Sequence, residues 1–218
     1  MAYPPAMSAL GRAIDLYGYV FHPITVLGVG SLLLIYHEWR ERGADRTALW
    51  RRVGAFLGAG ALALVPTAVF FLAFRGGLGR AVGGSSWRLD EMVAAGVLIA
   101  AGVTWLLWRR YEWGPIVPPA MVTFAAVTVP YAALAPVWDI SGHVILALAP
   151  TLYLTLVDRR YAPLLAVPVL MVPTRVLVEA HTWAQSVAGF AVAAAITVGL
   201  YRVQAGSSDR RGAGSTAS

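Results

Sequence analysis

Two short stretches in the last third of the chain carry residue types that can work on a phosphate. The first is Asp139-Ile140-Ser141-Gly142-His143, at the head of an apolar run. A helix starting there presents unpaired N–H groups and a partial positive charge, which suits an anion. Ser141 or Asp139 is the expected N-cap, and Gly142 would let a ligand approach the backbone closely. His143 then stands in the first turn, facing that anion. The second stretch holds Arg175, Glu179, His181 and Gln185. One imidazole can attack phosphorus while the other protonates the leaving oxygen. Arg175 and the backbone amides would hold the phosphoryl oxygens and stabilise their charge through transfer. Gln185 lies one helical turn after His181 and is expected to orient its imidazole through a hydrogen bond.

These residues act together only if the chain returns them to one place, and its composition says how. Hydrophobic residues make up 58% of the 218-residue sequence and charged residues only 13%, whereas a soluble domain carries about 25% charge. Apolar runs of roughly 17–25 residues recur, each long enough to cross a bilayer as a helix. The expected fold is therefore all-α: a polytopic bundle of about seven transmembrane helices at 17–36, 53–74, 92–108, 115–136, 141–157, 161–179 and 182–201. Six crossings remain if the first is a peripheral helix. Residues 1–16 form an N-terminal segment, 17–201 the transmembrane domain, and the Gly/Ser-rich 202–218 a disordered tail. A helix running unbroken from 161 to 201 would overshoot the bilayer, so a turn is expected near 179–182. That turn brings Arg175 and His181 to the same membrane face as His143.

All 17 basic residues are arginine. Seven crossings sort them into 12 on one side, in the segments around 37–52, 109–110, 159–160 and the tail, and five on the other, Arg12, Arg75, Arg80, Arg88 and Arg175. The richer side should face the cytoplasm. The expectation is a multi-pass cell-membrane protein with a cytoplasmic C-terminus and its phosphate site on the extracytoplasmic side.

Ser141-Gly142-His143, followed by Arg175, five residues and His181, resembles the second and third signature motifs (P-S-G-H and S-R-x5-H-x3-D) of the type 2 phosphatidic acid phosphatase superfamily. That resemblance implies His181 as the nucleophile that forms a phosphohistidine, His143 as the general acid, and Ser141, Gly142 and Arg175 as phosphate ligands. It also implies a six-helix lipid-phosphatase core, here preceded by one extra N-terminal helix. Thr174, Ile140 and Gln185 stand where the superfamily has serine, proline and aspartate. Its lysine-bearing first motif has no counterpart, and Arg75, Arg80 or Arg88 are the cations available in its stead. Asp-Ile-Ser-Gly-His, His-Thr-Trp and Gly189 look like the divergent fat-storage-inducing transmembrane family, whose members are associated with acyl-CoA diphosphatase activity. The likeness runs from Val137 to Gly189. It carries over His143 and His181 as the catalytic pair, with Asp139 as a supporting carboxylate.

The remaining features exclude other chemistries. Without cysteine there are no disulfides, thiolate metal sites or cysteine nucleophiles. His22, near the outer end of the first span, and His37, at the basic inner loop, lack further ligands at metal-like spacing, so no metal is expected. No Gly-rich nucleotide loop occurs, and no cofactor is implied. The arginines read as orientation signals, not as a nucleic-acid surface. Trp87, Trp108, Trp113 and Trp138 fit an interfacial belt. No cleavable signal peptide is evident. The expected substrate is a lipid phosphate, a diphosphate or an acyl-CoA, cleaved by hydrolysis. A lipid phosphotransferase, or a non-catalytic lipid-binding protein that has lost the first motif, are the alternatives. A carrier fits less well, because mid-span positions are almost uniformly apolar.

Overall fold

A computed structural model of the chain describes residues 9–74 and 87–215, and among these every regular element is helical. The helices are α1 (Ala9–Val20), α2 (Pro23–Glu41), α3 (Arg46–Ala63), α4 (Val65–Phe74), α5 (Trp87–Tyr111), α6 (Val117–Leu134), α7 (Gly142–Val157), α8 (Ala166–Leu177) and α9 (Trp183–Ser215), with a 3-10 helix at Arg159–Leu165 between α7 and α8.

Each break has a local cause. Pro23 opens α2 and holds His22 in an extended conformation, so α1 and α2 meet at 46° with His22 in the gap. The first span is thus a broken pair, where the apolar pattern had suggested one helix. Asp45 caps α3 by accepting from the Ala48 N–H at 2.7 Å. Pro66 removes a donor just after Leu64, where α3 gives way to α4. The Asp158 carboxylate accepts from the Arg160 N–H at 2.9 Å and starts the 3-10 turn. α9 runs into the tail expected to be disordered, because a helix already nucleated adds each further residue at little cost.

Five stretches are long and apolar enough to cross a membrane: Arg46–Ala73, Arg88–Tyr111, Val117–Leu134, Arg159–Leu177 and Trp183–Gly206; the bent α1–α2 pair makes a sixth. α7 is apolar but has only 16 residues, or about 24 Å of helix. It is the most enclosed element, packed by α2, α6, α8 and α9. Val144, Ile145, Ala147, Ala149 and Leu154 are buried on all its faces, as a helix that is hydrophobic all round should be.

Helix ends gather at two ends of the bundle. At one, Glu38 of α2 is completely buried. Its carboxylate accepts from Trp108 Nε1 at 2.6 Å, from the Ile116 N–H, and from the Val117 N–H at 3.1 Å. It therefore caps α6 from outside that helix. Gly114 leaves the carboxylate its room: a Cβ there would lie 2.2 Å from the Glu38 carboxyl carbon. Trp108 accordingly departs from the expected interfacial belt. It is wholly buried because Glu38 receives its indole N–H, and Trp113 packs edge-on against it at 4.8 Å. Trp138 is exposed as expected, and the Trp87 side chain lies outside the described residues.

Glu38→Ala strands three donors, two of them on the α6 backbone. The expected loss is roughly 2–4 kcal/mol in detergent unfolding followed by tryptophan fluorescence. Glu38→Gln keeps one acceptor and should lose less. Equal stability of the alanine variant and the parent would remove Glu38 from this role.

Candidate functional site

The opposite end of the bundle brings together the starts of α5, α7 and α9, the ends of α6 and α8, and the α1–α2 bend. α8 finishes on Leu177 with Val178 as its C-cap, followed by Glu179 in the left-handed region (φ 55°). This lets the N–H groups of Ala180 and His181 both donate to the Arg175 carbonyl, at 3.1 and 3.3 Å. The reversal expected near 179–182 is therefore real, and His181 sits in it beside Arg175 and before α9.

The start of α9 is a reciprocal cap. Thr182 Oγ1 accepts from the Gln185 N–H at 3.3 Å, and Gln185 Oε1 accepts from the Thr182 N–H at 2.8 Å. Gln185 is consequently spent on the helix terminus and does not orient His181, contrary to expectation. Asp139 does. His181 Nδ1 lies 3.2 Å from the Asp139 carbonyl oxygen and 3.7 Å from its Oδ2. A carbonyl can only accept, so Nδ1 carries the proton and Nε2 of a neutral ring keeps its lone pair. The His181 side chain is 9% exposed, against 55% for Asp139. Burial lowers the His181 pKa below the ordinary imidazole value; Asp139 opposes the shift and Arg175 adds to it.

Asp90, in the first turn of α5, lies within electrostatic reach of the Tyr131 hydroxyl from the last turn of α6, and of Asp139 and His181. The Tyr131 ring in turn lies on Gly142, where a Cβ would fall 2.4 Å from the ring. The glycine expected to admit a ligand therefore admits an aromatic ring. Ser141 is completely buried at the N-cap of α7, but its hydroxyl makes no capping bond and has no partner. Its N–H donates to the Gln185 carbonyl at 3.3 Å. Neither Ser141 nor Gly142 lines the adjoining cavity.

That cavity, of about 290 Å³, is lined by α1 residues that include Asp15 and Tyr17, by His22 and His143, and by Met171, Thr174, Arg175 and Val178. His22 and His143 meet edge-to-face with ring centroids 5.7 Å apart. Arg175 Nε is buried there without a hydrogen-bond partner. That guanidinium N–H has no acceptor among the described residues, as is also true of Arg52 Nε and Nη1 at the other end of the bundle. His143 is within electrostatic reach of Arg175, His22 and His181, yet His181 is not part of the cavity wall.

Of the expected residues, His143, Arg175, His181 and Asp139 come together; Ser141 and Gly142 lie beside them under protein, and Gln185 is turned away. Arg75 and Arg80 lie outside the described residues, and Arg88 is in the first turn of α5. His22, Asp90 and Tyr131 join the site unforeseen. For His22 the available signal was the His-Pro step, which interrupts an apolar span where the charge of a ligand could be met. No protein-family model, curated protein or solved structure matches the chain.

Diethyl pyrocarbonate attacks neutral imidazole, so peptide-mapped modification follows His181 directly. Its reactivity should persist below the pH at which an ordinary histidine is lost. Asp139→Asn removes a charge that favours the protonated ring, and should move the midpoint further down. A midpoint shifted upward by that change would break the Asp139–His181 link.

Proposed function

We propose that this protein is a multi-pass membrane enzyme that hydrolyses a lipid phosphate or phosphoanhydride through a histidine nucleophile. The observation that carries this is the hold of Asp139 on His181 Nδ1, with His143 and Arg175 within electrostatic reach and the Arg175 Nε unpaired. Phosphoryl oxygens bound by Arg175 would bring phosphorus between the two histidines. His181 Nε2 attacks phosphorus, the bond to the leaving oxygen breaks, and His143 gives that oxygen its proton. The phosphate charge offsets Arg175 and the protonated His143. Water, its proton taken by His143, then attacks the phosphohistidine; the P–N bond breaks and His181 recovers its lone pair. His22, edge-on to His143, orients that ring.

On this reading α7 completes a seventh crossing. Enclosed by other helices, it need not match the bilayer's full thickness. The arginine-rich end of the bundle, with the C-terminus, faces the cytoplasm, and the histidine end faces outward. The Ser-Gly-His and Arg-x5-His spacing supports a divergent relative of the type 2 phosphatidic acid phosphatases, with Asp139 in the supporting role of the absent third-motif carboxylate.

A second reading has one observation in its favour: His181 stands outside the cavity wall. His22, His143 and Arg175 would then bind a lipid phosphate without turnover.

Phosphate release from lipid phosphates, lipid diphosphates and acyl-CoA, measured with EDTA present, separates the two. The hydrolase reading expects turnover that falls by roughly 10²–10⁴ in both His143→Ala and His181→Ala. Binding of the lipid phosphate without release, undisturbed by His181→Ala but lost in Arg175→Ala, would establish the second reading and end the first.

A further inference from the structure

A second cavity, of about 410 Å³, lies on the other side of α2. Val26 faces the histidine end of the molecule, packing with Val144 and Met171. Leu27, Gly28 and Ser31 face the second cavity, whose far wall comes from α3–α6 through residues such as Phe56, Gly60 and Met121. The two cavities are thus divided by a helix.

The lining is apolar. Its hydroxyls are Ser31 and Thr67, and Ser31 already donates to the Leu27 carbonyl at 2.8 Å. The space is open on one side, and its walls offer a water few of the two to four polar partners it needs, so an apolar ligand suits it better. Benzene fills a dry cavity of about 150 Å³, so this space suits a longer hydrocarbon. Left empty, it would deprive its walls of dispersion contacts. Glycines keep it open: a Cβ added at Gly28 or Gly60 would meet no atom within 4 Å. Its walls belong to the helices long and apolar enough to cross a membrane and to the bent α1–α2 pair. In a bilayer the material in supply beside them is lipid hydrocarbon.

We propose that the α2–α6 cavity is a lipid-chain site, holding one hydrocarbon chain of a membrane lipid apart from the phosphate site. It rests on the membrane reading but not on catalysis.

The test uses the full chain carrying His181→Ala, so that turnover plays no part, in phosphatidylcholine nanodiscs doped with a photoactivatable phosphatidylcholine bearing a diazirine on its acyl chain. Labelled residues are mapped by mass spectrometry. Labelling is expected on Phe56 and Met121 inside the cavity, as well as on outward-facing Leu72 and Leu106. Gly28→Leu with Gly60→Leu, at positions where the Cβ itself meets no atom within 4 Å, puts side chains into the space and should cut cavity labelling roughly tenfold, leaving the outward positions unchanged. Circular dichroism melting keeps a folding defect from passing as lost binding. Labelling of Leu72 and Leu106 alone means a lipid annulus and overturns the chain site. Equal cavity labelling in the filled variant also overturns it. Absence of labelling anywhere overturns the membrane reading and the chain site together.

Discussion

The enclosure of α7 is the constraint on which the other helices depend. Neighbours approach its backbone so closely that three contacts leave no room for a side chain. A Cβ on Gly30 of α2 would fall 2.6 Å from Pro150; one on Gly142 would enter the Tyr131 ring; one on Gly189 of α9 would lie 3.0 Å from the Ser141 carbonyl oxygen. Such contacts substitute dispersion and shape for the hydrophobic drive that is weak between helices surrounded by lipid. They also set the position of His143, one residue beyond Gly142. Because α7 cannot shift, the His143 ring is presented from a rigid floor, whereas His181 is presented from a turn.

Arg175 is where these two halves of the site meet. Its carbonyl receives the Ala180 and His181 N–H groups that close the turn, and its guanidinium borders the cavity. One residue thereby sets the backbone path to His181 and the charge beside His143. Two acidic groups lie outside the cavity: Asp139 holds the His181 ring, and Asp90 of α5 lies near Tyr131 of α6. Arg175 and Asp15 both border the cavity, and the Asp139 carboxylate backs the imidazole that keeps its lone pair.

The other end of the bundle is built on a different economy of donors. Glu38, buried among apolar neighbours, receives an indole N–H and two helix N-terminal amides, and Arg52 of α3 lies within its electrostatic reach. Some buried hydroxyls bond back into their own helices, as Thr128 does to Phe124 and Thr151 to Ala147. Where no water is at hand, polar groups must find partners within the chain. Among the described residues, Ser141 Oγ and Arg175 Nε at the histidine end have none, and neither do Arg52 Nε and Nη1, Thr104 Oγ1, Ser186 Oγ and Thr197 Oγ1.

The break at His22-Pro23 and the helical continuation past residue 202 were not legible in residue order, whereas helical class, the approximate limits of most apolar runs and the turn that sets His181 beside Arg175 were. They follow from local rules: apolar length, prolines and the alternation of crossings. The same rules misjudged what individual side chains do. Thr182 and Gln185 carry the spacing of a capping box, but whether Gln185 turns to the backbone or to His181 depends on where Asp139 stands. Gly142 reads as room for a ligand until Tyr131, from another helix, occupies it. His22 reads as an ordinary interfacial histidine until the Pro23 bend sets it against His143. Trp108 reads as a membrane anchor until Glu38, seventy residues earlier, accepts its proton. Residue order determines which segments become helices and which end of the bundle each terminus reaches, because those are backbone and solvation matters. Which side chain meets which partner was decided only by the packing of helices far apart in the chain, because a hydrogen bond is made or lost within a few tenths of an ångström.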